Sequence, residues 1–282
     1  MSGRIRLAAV QLNSSDDKRS NVARASALID EAAGQGAQFI ALPEMFTYLG
    51  PKERYPEVAE AIPGPTTAQM AAKAQEHRVC ILAGSMLERA EGSERFFNTS
   101  LLFGPDGSIL ARYRKVHLFD VEVGGRQYLE SDLVAPGAGA VVAEVNGTIV
   151  GLSICYDIRF PELYRQLALA GAQVVFVPAA FTLYTGRDHW EVLLRARAIE
   201  NQLFVLAAAQ VGRAPGGLVS YGRSLIVDPW GLVLAQAPDR ETALVAEVDL
   251  DEIRRVREAL PALRHRRPEA YRIDKQHGGE GQ

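Results

Sequence analysis

The chain has 282 residues, 48% hydrophobic and 23% charged, and its formal charge of −3 removes any global attraction to nucleic acid or to an anionic membrane. The amino-terminal apolar run is too short and interrupted for a secretory signal, and no stretch reaches the roughly 18 to 20 apolar residues that a membrane span needs. Two cysteines outside any C-x-x-C pair suggest no disulfide framework, so the expected setting is the reducing cytoplasm, with one domain over 1–271 and a flexible tail over 272–282.

In chain order, the pattern predicts a strand over Ile5–Leu12, a helix over Asn21–Ala33, a strand over Phe39–Leu42, a helix over Thr67–His77 and a strand over Val79–Met86. This alternation is α/β punctuation. Pro105-Asp-Gly107 then separates Ser100–Phe103 from Ile109–Arg112, and Asn146-Gly147 separates Val141–Val145 from Thr148–Ile154. Both read as hairpins, so the sheets are expected to be mixed. An internal echo adds a plan: Gly36-Ala-Gln-Phe-Ile-Ala-Leu-Pro43 resembles Gly171-Ala-Gln-Val-Val-Phe-Val-Pro178, each a helix end followed by a buried strand stopped by proline. Two such halves stack their sheets with helices outside, a four-layer α-β-β-α sandwich with a crevice at the strand ends.

Cys155 ends the apolar run from Thr148 and is followed at once by Tyr156-Asp-Ile-Arg-Phe-Pro-Glu162, which opens a helical pattern. A thiol on that turn is exposed where backbone N–H groups and a helix start stabilise a thiolate or an oxyanion. A buried structural cysteine is the alternative, but it needs no such polar company. Leu42-Pro43 delivers Glu44, a carboxylate with apolar flanks and a candidate general base. Lys115, in Arg114-Lys-Val-His-Leu-Phe119, reads alone as part of a basic edge strand; beside Glu44 and Cys155 its ammonium completes an acyl-transfer set.

These three segments, in this order, resemble the three motifs of the nitrilase, or carbon-nitrogen hydrolase, superfamily. The likeness continues through Pro178-Ala-Ala-Phe181, Gly186-Arg-Asp-His-Trp190, Arg195-Ala-Arg-Ala-Ile-Glu200 and Tyr221-Gly-Arg-Ser224, to about Tyr271. It implies the α-β-β-α fold, assembly into homodimers or larger homo-oligomers, and catalysis by Glu44, Lys115 and Cys155 without metal or organic cofactor. The absence of H-E-x-x-H, paired C-x-x-C and P-loop signatures agrees. Glu130, in Gln127-Tyr-Leu-Glu-Ser131, is carried over as a supporting residue that orients Lys115 or the substrate.

The detailed likeness is to the branch that contains deaminated glutathione amidase and omega-amidase. It leans to the first through Arg114 to Glu122, His189 to Glu200, Ala207 to Gln210 and Arg266 to Tyr271. The implied reaction is hydrolysis of a linear amide through a cysteine thioester, with the Tyr156 backbone N–H in the oxyanion site. Omega-amidase, nitrilase or carbamoylase activity and a noncatalytic interaction module are the alternatives. An α-keto carboxylate on the acyl group calls for an arginine fork, and Arg159 is the candidate; pairing with Glu162 or Asp157 at the surface is the competing reading. Phe181, Thr185 and Tyr48 follow other strand ends and are expected to line the pocket.

Other signals read as structural. Pro136-Gly-Ala-Gly139 precedes a strand instead of opening a helix and lacks a third glycine, which argues against nucleotide binding. His117 and His189 have no metal-ligand spacing and fit hydrogen-bonded roles; Trp190, Leu193, Leu194 and Ile199 have core-like spacing. The arginines of 254–257 and 264–267 are interleaved with acids, as on a solvated helix face or a subunit contact.

Overall fold

Apolar strands of three to eight residues, buried on both faces, set the architecture; the computed structural model describes residues 3–89 and 91–271. The expected tail over 272–282 lies outside the described residues. The first half comprises β1 (Arg4–Gln11), α1 (Lys18–Gly34), β2 (Phe39–Ala41), α2 (Tyr55–Val58), α3 (Pro65–His77), β3 (Cys80–Leu82), β4 (Met86–Glu88), β5 (Phe97–Phe103) and β6 (Ile109–Arg114). A hairpin of β7 (Asp120–Val123) and β8 (Arg126–Leu129) leads to β9 (Val141–Val145), β10 (Thr148–Leu152), α4 (Pro161–Leu169), β11 (Val174–Ala179), α5 (Leu183–Asn201) and β12 (Phe204–Ala209). The chain closes with β13 (Val211–Arg213), β14 (Val219–Tyr221), β15 (Leu225–Val227), β16 (Val233–Gln236), β17 (Thr242–Asp249) and α6 (Asp251–Ala259).

One sheet runs β17-β1-β2-β3-β5, with β4 and β6 also paired to β5; the other runs β16-β15-β12-β11-β10-β9. In each, three central strands are parallel and the flanks antiparallel, so both sheets are mixed. Strand alternation sorts the side chains. Leu7, Ala9, Phe39, Ala41 and Leu82 join Leu152, Phe176 and Leu206 in one core, while Ala8, Val10, Ile40 and Ile81 pack on Val22, Ile29, Met70 and Ala74 of α1 and α3. Helices α4 and α5 cover the second sheet with Leu163, Leu167, Trp190 and Leu194. The result is the four-layer α-β-β-α sandwich. Each fully buried aliphatic or aromatic side chain contributes about 1.5–3 kcal/mol, which is why this hydrophobic alternation overrides local propensity.

Three local expectations change. The strand expected over Val79–Met86 is broken into β3 and β4 at Gly84, where φ is +34° and a Cβ would lie 2.0 Å from the Pro43 carbonyl oxygen. The break frees Ser85 to brace the Glu44 loop: its Oγ accepts from Met45 N at 3.0 Å and its carbonyl from Phe46 N at 3.1 Å. Strand β10 stops at Leu152, and Cys155–Arg159 form a 3-10 turn before Pro161 starts α4. On α5, Trp190 and Leu194 are buried but Ile199 is half exposed, at the edge of the helix face. The arginine-rich α6 is a solvated face: Arg255 pairs with Asp249 and Glu252 at 2.8 and 2.7 Å, and Arg254 with Glu258 at 3.5 Å.

Candidate active site

Cys155 sits just past the end of β10 with φ +48°, a left-handed conformation that costs a residue with a side chain about 1–2 kcal/mol. Asp157, fully buried two residues later, holds the turn. Its Oδ2 accepts from Ile154 N at 2.8 Å and Tyr113 Oη at 2.6 Å; its Oδ1 accepts from His117 N at 3.0 Å and lies 2.7 Å from His117 Nδ1. The His117 ring stacks on Phe160 at 3.6 Å. Since Tyr113 and His117 flank Lys115, one carboxylate ties the Cys155 turn to the lysine segment. His117 has the hydrogen-bonded role expected; Asp157 was weighed only as a surface partner for Arg159, and three of its four contacts come from Tyr113 and His117, 44 and 40 positions away.

Glu44 is 4% exposed and fully engaged. Its Oε2 accepts from Ala180 N at 2.8 Å; its Oε1 accepts from Lys115 Nζ at 2.9 Å and Asn98 Nδ2 at 3.0 Å. Glu130 completes the ring, with Oε2 accepting from Lys115 Nζ and Phe119 N, both at 2.8 Å, and Oε1 from Asn98 Nδ2 at 3.2 Å. Asn98 thus bridges two carboxylates. Sequence reasoning missed it, because an asparagine inside an apolar strand carries no motif; the polar residue on β5 opposite Lys115 was the available signal. In Pro136-Gly-Ala-Gly139, Gly137 serves packing: its N donates to the Lys115 carbonyl at 2.8 Å, and a Cβ there would lie 2.1 Å from the Arg114 carbonyl oxygen.

Electrostatics assign protonation. Burial alone would lower the Lys115 ammonium, but the charge of Glu130, then that of Glu44, more than offsets it and holds the group well above its ordinary value. Burial first, then the charge and hydrogen bonding of Glu44, push the Cys155 thiol well above its ordinary value, against the pull of Lys115. The resting pair is therefore an ammonium and a neutral thiol. Such a thiol attacks only as a base removes its proton.

These groups open on a cavity of about 160 Å³ lined by Glu44, Lys115, Glu130, Cys155, Tyr156, Arg159, Phe181 and Thr185, among others. Arg159 makes neither expected surface pair: Asp157 is committed to Tyr113 and His117, and the guanidinium lies 5.1 Å from the Phe181 ring, with Nη1 3.2 Å from His189 Nδ1. Tyr48 is a correction. The chain turns at Met45, φ +53°, and sends Tyr48 into the core, where its hydroxyl donates to the Pro51 carbonyl at 2.9 Å and its ring packs with Val58 and Leu87. Tyr55 takes the place on the cavity wall that Tyr48 was expected to hold. Among the described residues, Asp30, Glu76 and His77 are the one group with three metal-type ligands in mutual reach, and Lys73 Nζ already sits 2.7 Å from Asp30 and 2.9 Å from Glu76.

With this geometry in view, the sequence profile described as carbon-nitrogen hydrolase matches residues 6–258. The chain belongs to the carbon-nitrogen hydrolase family. It is 45% identical over 263 residues to a deaminated glutathione amidase of Synechocystis sp., covering 92% of this chain and 97% of the relative. It is 41% identical over 272 residues to omega-amidase NIT2 of Xenopus tropicalis, covering 96% and 98%. The solved amidase of Nesterenkonia sp. AN1, a mutant with the acetamide moiety of fluoroacetamide added covalently at its active-site cysteine, superposes with a TM-score of 0.79 at 28% identity, covering 95% of each chain. This carbon-nitrogen hydrolase is an amidase of the nitrilase superfamily. Among its described residues no helix is long and apolar enough to cross a membrane.

Proposed function

We propose that this amidase hydrolyses deaminated glutathione to 2-oxoglutarate and cysteinylglycine through a thioester on Cys155. The observation that carries the reading is the contact of Glu44 with Lys115 at 2.9 Å, beside a thiol that burial keeps protonated, in a cavity that also presents Arg159. Glu44 accepts the thiol proton as Sγ attacks the amide carbonyl; Lys115 and the backbone N–H of Tyr156 hold the oxyanion. Collapse breaks the C–N bond, and Glu44 returns the proton to the departing nitrogen. A water that gives its proton to Glu44 then attacks the thioester, releasing the acid and restoring the thiol.

Glu130 orients the ammonium through its own 2.8 Å contact with Lys115 Nζ. Arg159, set over Phe181 and held by His189, binds the α-keto carboxylate; Tyr156, Phe181 and Thr185 shape the acyl pocket. Support for the acyl group comes from the two relatives, whose names are deaminated glutathione amidase and omega-amidase. The protein is proposed to work as a cytoplasmic homo-oligomer. The test is 2-oxoglutarate release by purified protein offered deaminated glutathione and 2-oxoglutaramate in parallel, with Cys155→Ser as the blank. Faster turnover of the peptide substrate is expected; preference for the free amide would make the protein an omega-amidase, and release from neither would overturn the acyl assignment. Arg159→Lys should raise KM for both substrates, since both carry the acyl carboxylate.

A further inference from the structure

The cavity is lined by three cations, Lys52, Lys115 and Arg159, and two carboxylates, Glu44 and Glu130. Lys115 is paired with both carboxylates, at 2.9 and 2.8 Å. Among the described residues neither Lys52 nor Arg159 has a carboxylate within 4.0 Å. Two positive charges therefore remain for a ligand. They stand on walls from different halves of the chain. Arg159 belongs to the Cys155 turn and rests on Phe181 and His189. Lys52 follows Glu44 in the chain, and its ammonium donates to the carbonyl of Leu129, the residue before Glu130. Asp120 feels the Lys52 charge, but its carboxylate is engaged by Ser131 N at 3.0 Å.

Chemistry divides the substrate between these walls. The acyl carbon ends bonded to Cys155 Sγ, so the acyl chain lies along the wall of Arg159. The departing nitrogen takes its proton from Glu44, so the leaving group lies along the wall that Glu44, Glu130 and Lys52 share. We propose that Lys52 binds the carboxylate of a peptide-like leaving group, which makes the cavity a site for a dianionic amide: acyl carboxylate at Arg159, leaving-group carboxylate at Lys52. This rests on the amidase reading above and extends it to the amine side. A substrate that releases only ammonia leaves Lys52 without a partner, so Lys52 sets the preference between peptide and free amide.

The experiment compares wild type, Lys52→Ala and Lys52→Arg on three substrates: deaminated glutathione, the same compound with its glycine carboxylate converted to a carboxamide, and 2-oxoglutaramate. An exposed ion pair predicts that Lys52→Ala raises KM for deaminated glutathione about fivefold, with kcat nearly constant, while KM for 2-oxoglutaramate moves less than twofold. Lys52→Arg should recover most of the difference. The carboxamide should cost wild type the same factor and cost Lys52→Ala nothing more. If Lys52→Ala changes all three substrates equally, or none, the Lys52 assignment is overturned while the acyl reading stands. If wild type releases 2-oxoglutarate from none of them, the acyl reading falls and takes this proposal with it.

Discussion

In the first half, Gly36 ends α1 with φ +81°, Ala37 N donates back to the Ala32 carbonyl at 3.1 Å, and Gln38 Oε1 accepts from Arg6 N at 3.1 Å as the chain enters β2. In the second, Gly171 ends α4 with φ +93°, Ala172 N donates to the Leu167 carbonyl at 3.1 Å, and Gln173 Oε1 accepts from Ile149 N at 3.0 Å at the entry to β11. The halves part company at the other end of the same strands. Past Pro43 the chain turns at Met45 and offers a carboxylate, Glu44; past Pro178 it offers the bare N–H of Ala180, which donates to that carboxylate at 2.8 Å. The proposed nucleophile follows the neighbouring strand, β10, while past its counterpart β1 the chain reaches Ser14, a hydrogen-bond partner of Gln210 at 2.8 Å. What repeats is scaffold, the turn that feeds a parallel strand; what differs is the carboxyl end, where α/β folds place their chemistry.

The comparison can be broken most forcefully at those carboxyl ends. Cys155→Ala should cut turnover by a factor of about 10⁴ or more, with a thermal melt that still shows a folded protein. Glu44→Gln keeps the shape and removes the proposed proton carrier; kcat should fall by about 10² to 10⁴ in steady-state assays, with a thermal melt that still shows a folded protein. Asp157→Asn replaces an all-acceptor group by one that presents an N–H to donors, so the Cys155 turn and Lys115 lose register. We expect kcat down about 10- to 100-fold with KM little changed, measured alongside an unaltered far-ultraviolet circular dichroism spectrum.

Two smaller tests sharpen the contrast. Burial raises the thiol of Cys80, on the first half's β3, to about 12, and burial with Glu44 raises that of Cys155 on the second half. In both the folded state keeps a proton that the unfolded chain gives up, so stability is constant below the ordinary thiol value and falls as pH rises past it. The slope is about 1.4 kcal/mol per pH unit for each thiol, and Cys80→Ala and Cys155→Ala should each remove one share in urea titrations between pH 8 and 10. Last, Gln38→Ala and Gln173→Ala should each cost about 0.5–1.5 kcal/mol in the same titrations, the part-buried bond of Gln173 more than the exposed one of Gln38, with kcat within twofold of wild type, because both residues hold the entry of a strand, at the end away from Glu44 and Ala180.

Much of this was legible in the sequence because it depends on local chemistry. The glycine-alanine-glutamine echo marked both parallel strands, and the change from apolar strand to polar turn at Cys155 marked the nucleophile candidate. Glu44 and Lys115 were ordinary charges when read singly and gained meaning from motif order. Asn98 stayed hidden because its partners Glu44 and Glu130 lie 54 and 32 positions away, and the role of Asp157 because Tyr113 and His117 lie 44 and 40 positions away. Tyr48 was misplaced because nothing in Met45-Phe-Thr-Tyr48 announces a left-handed turn at a methionine. The hairpin of β7 and β8 carried its signal in Gly124-Gly125, between short alternating segments, and was passed over.

The burial of Cys155 beside Glu44 also bears on how the protein endures oxidants. Peroxide attacks thiolates, and the first product, a sulfenic acid, leads on to irreversible states. Burial and Glu44 hold Cys155 as a thiol. In the proposed mechanism the sulfur is withheld from the oxidation ladder until a bound amide gives Glu44 reason to take its proton, so the arrangement that makes the cysteine a reluctant nucleophile at rest should also make it slow to oxidise.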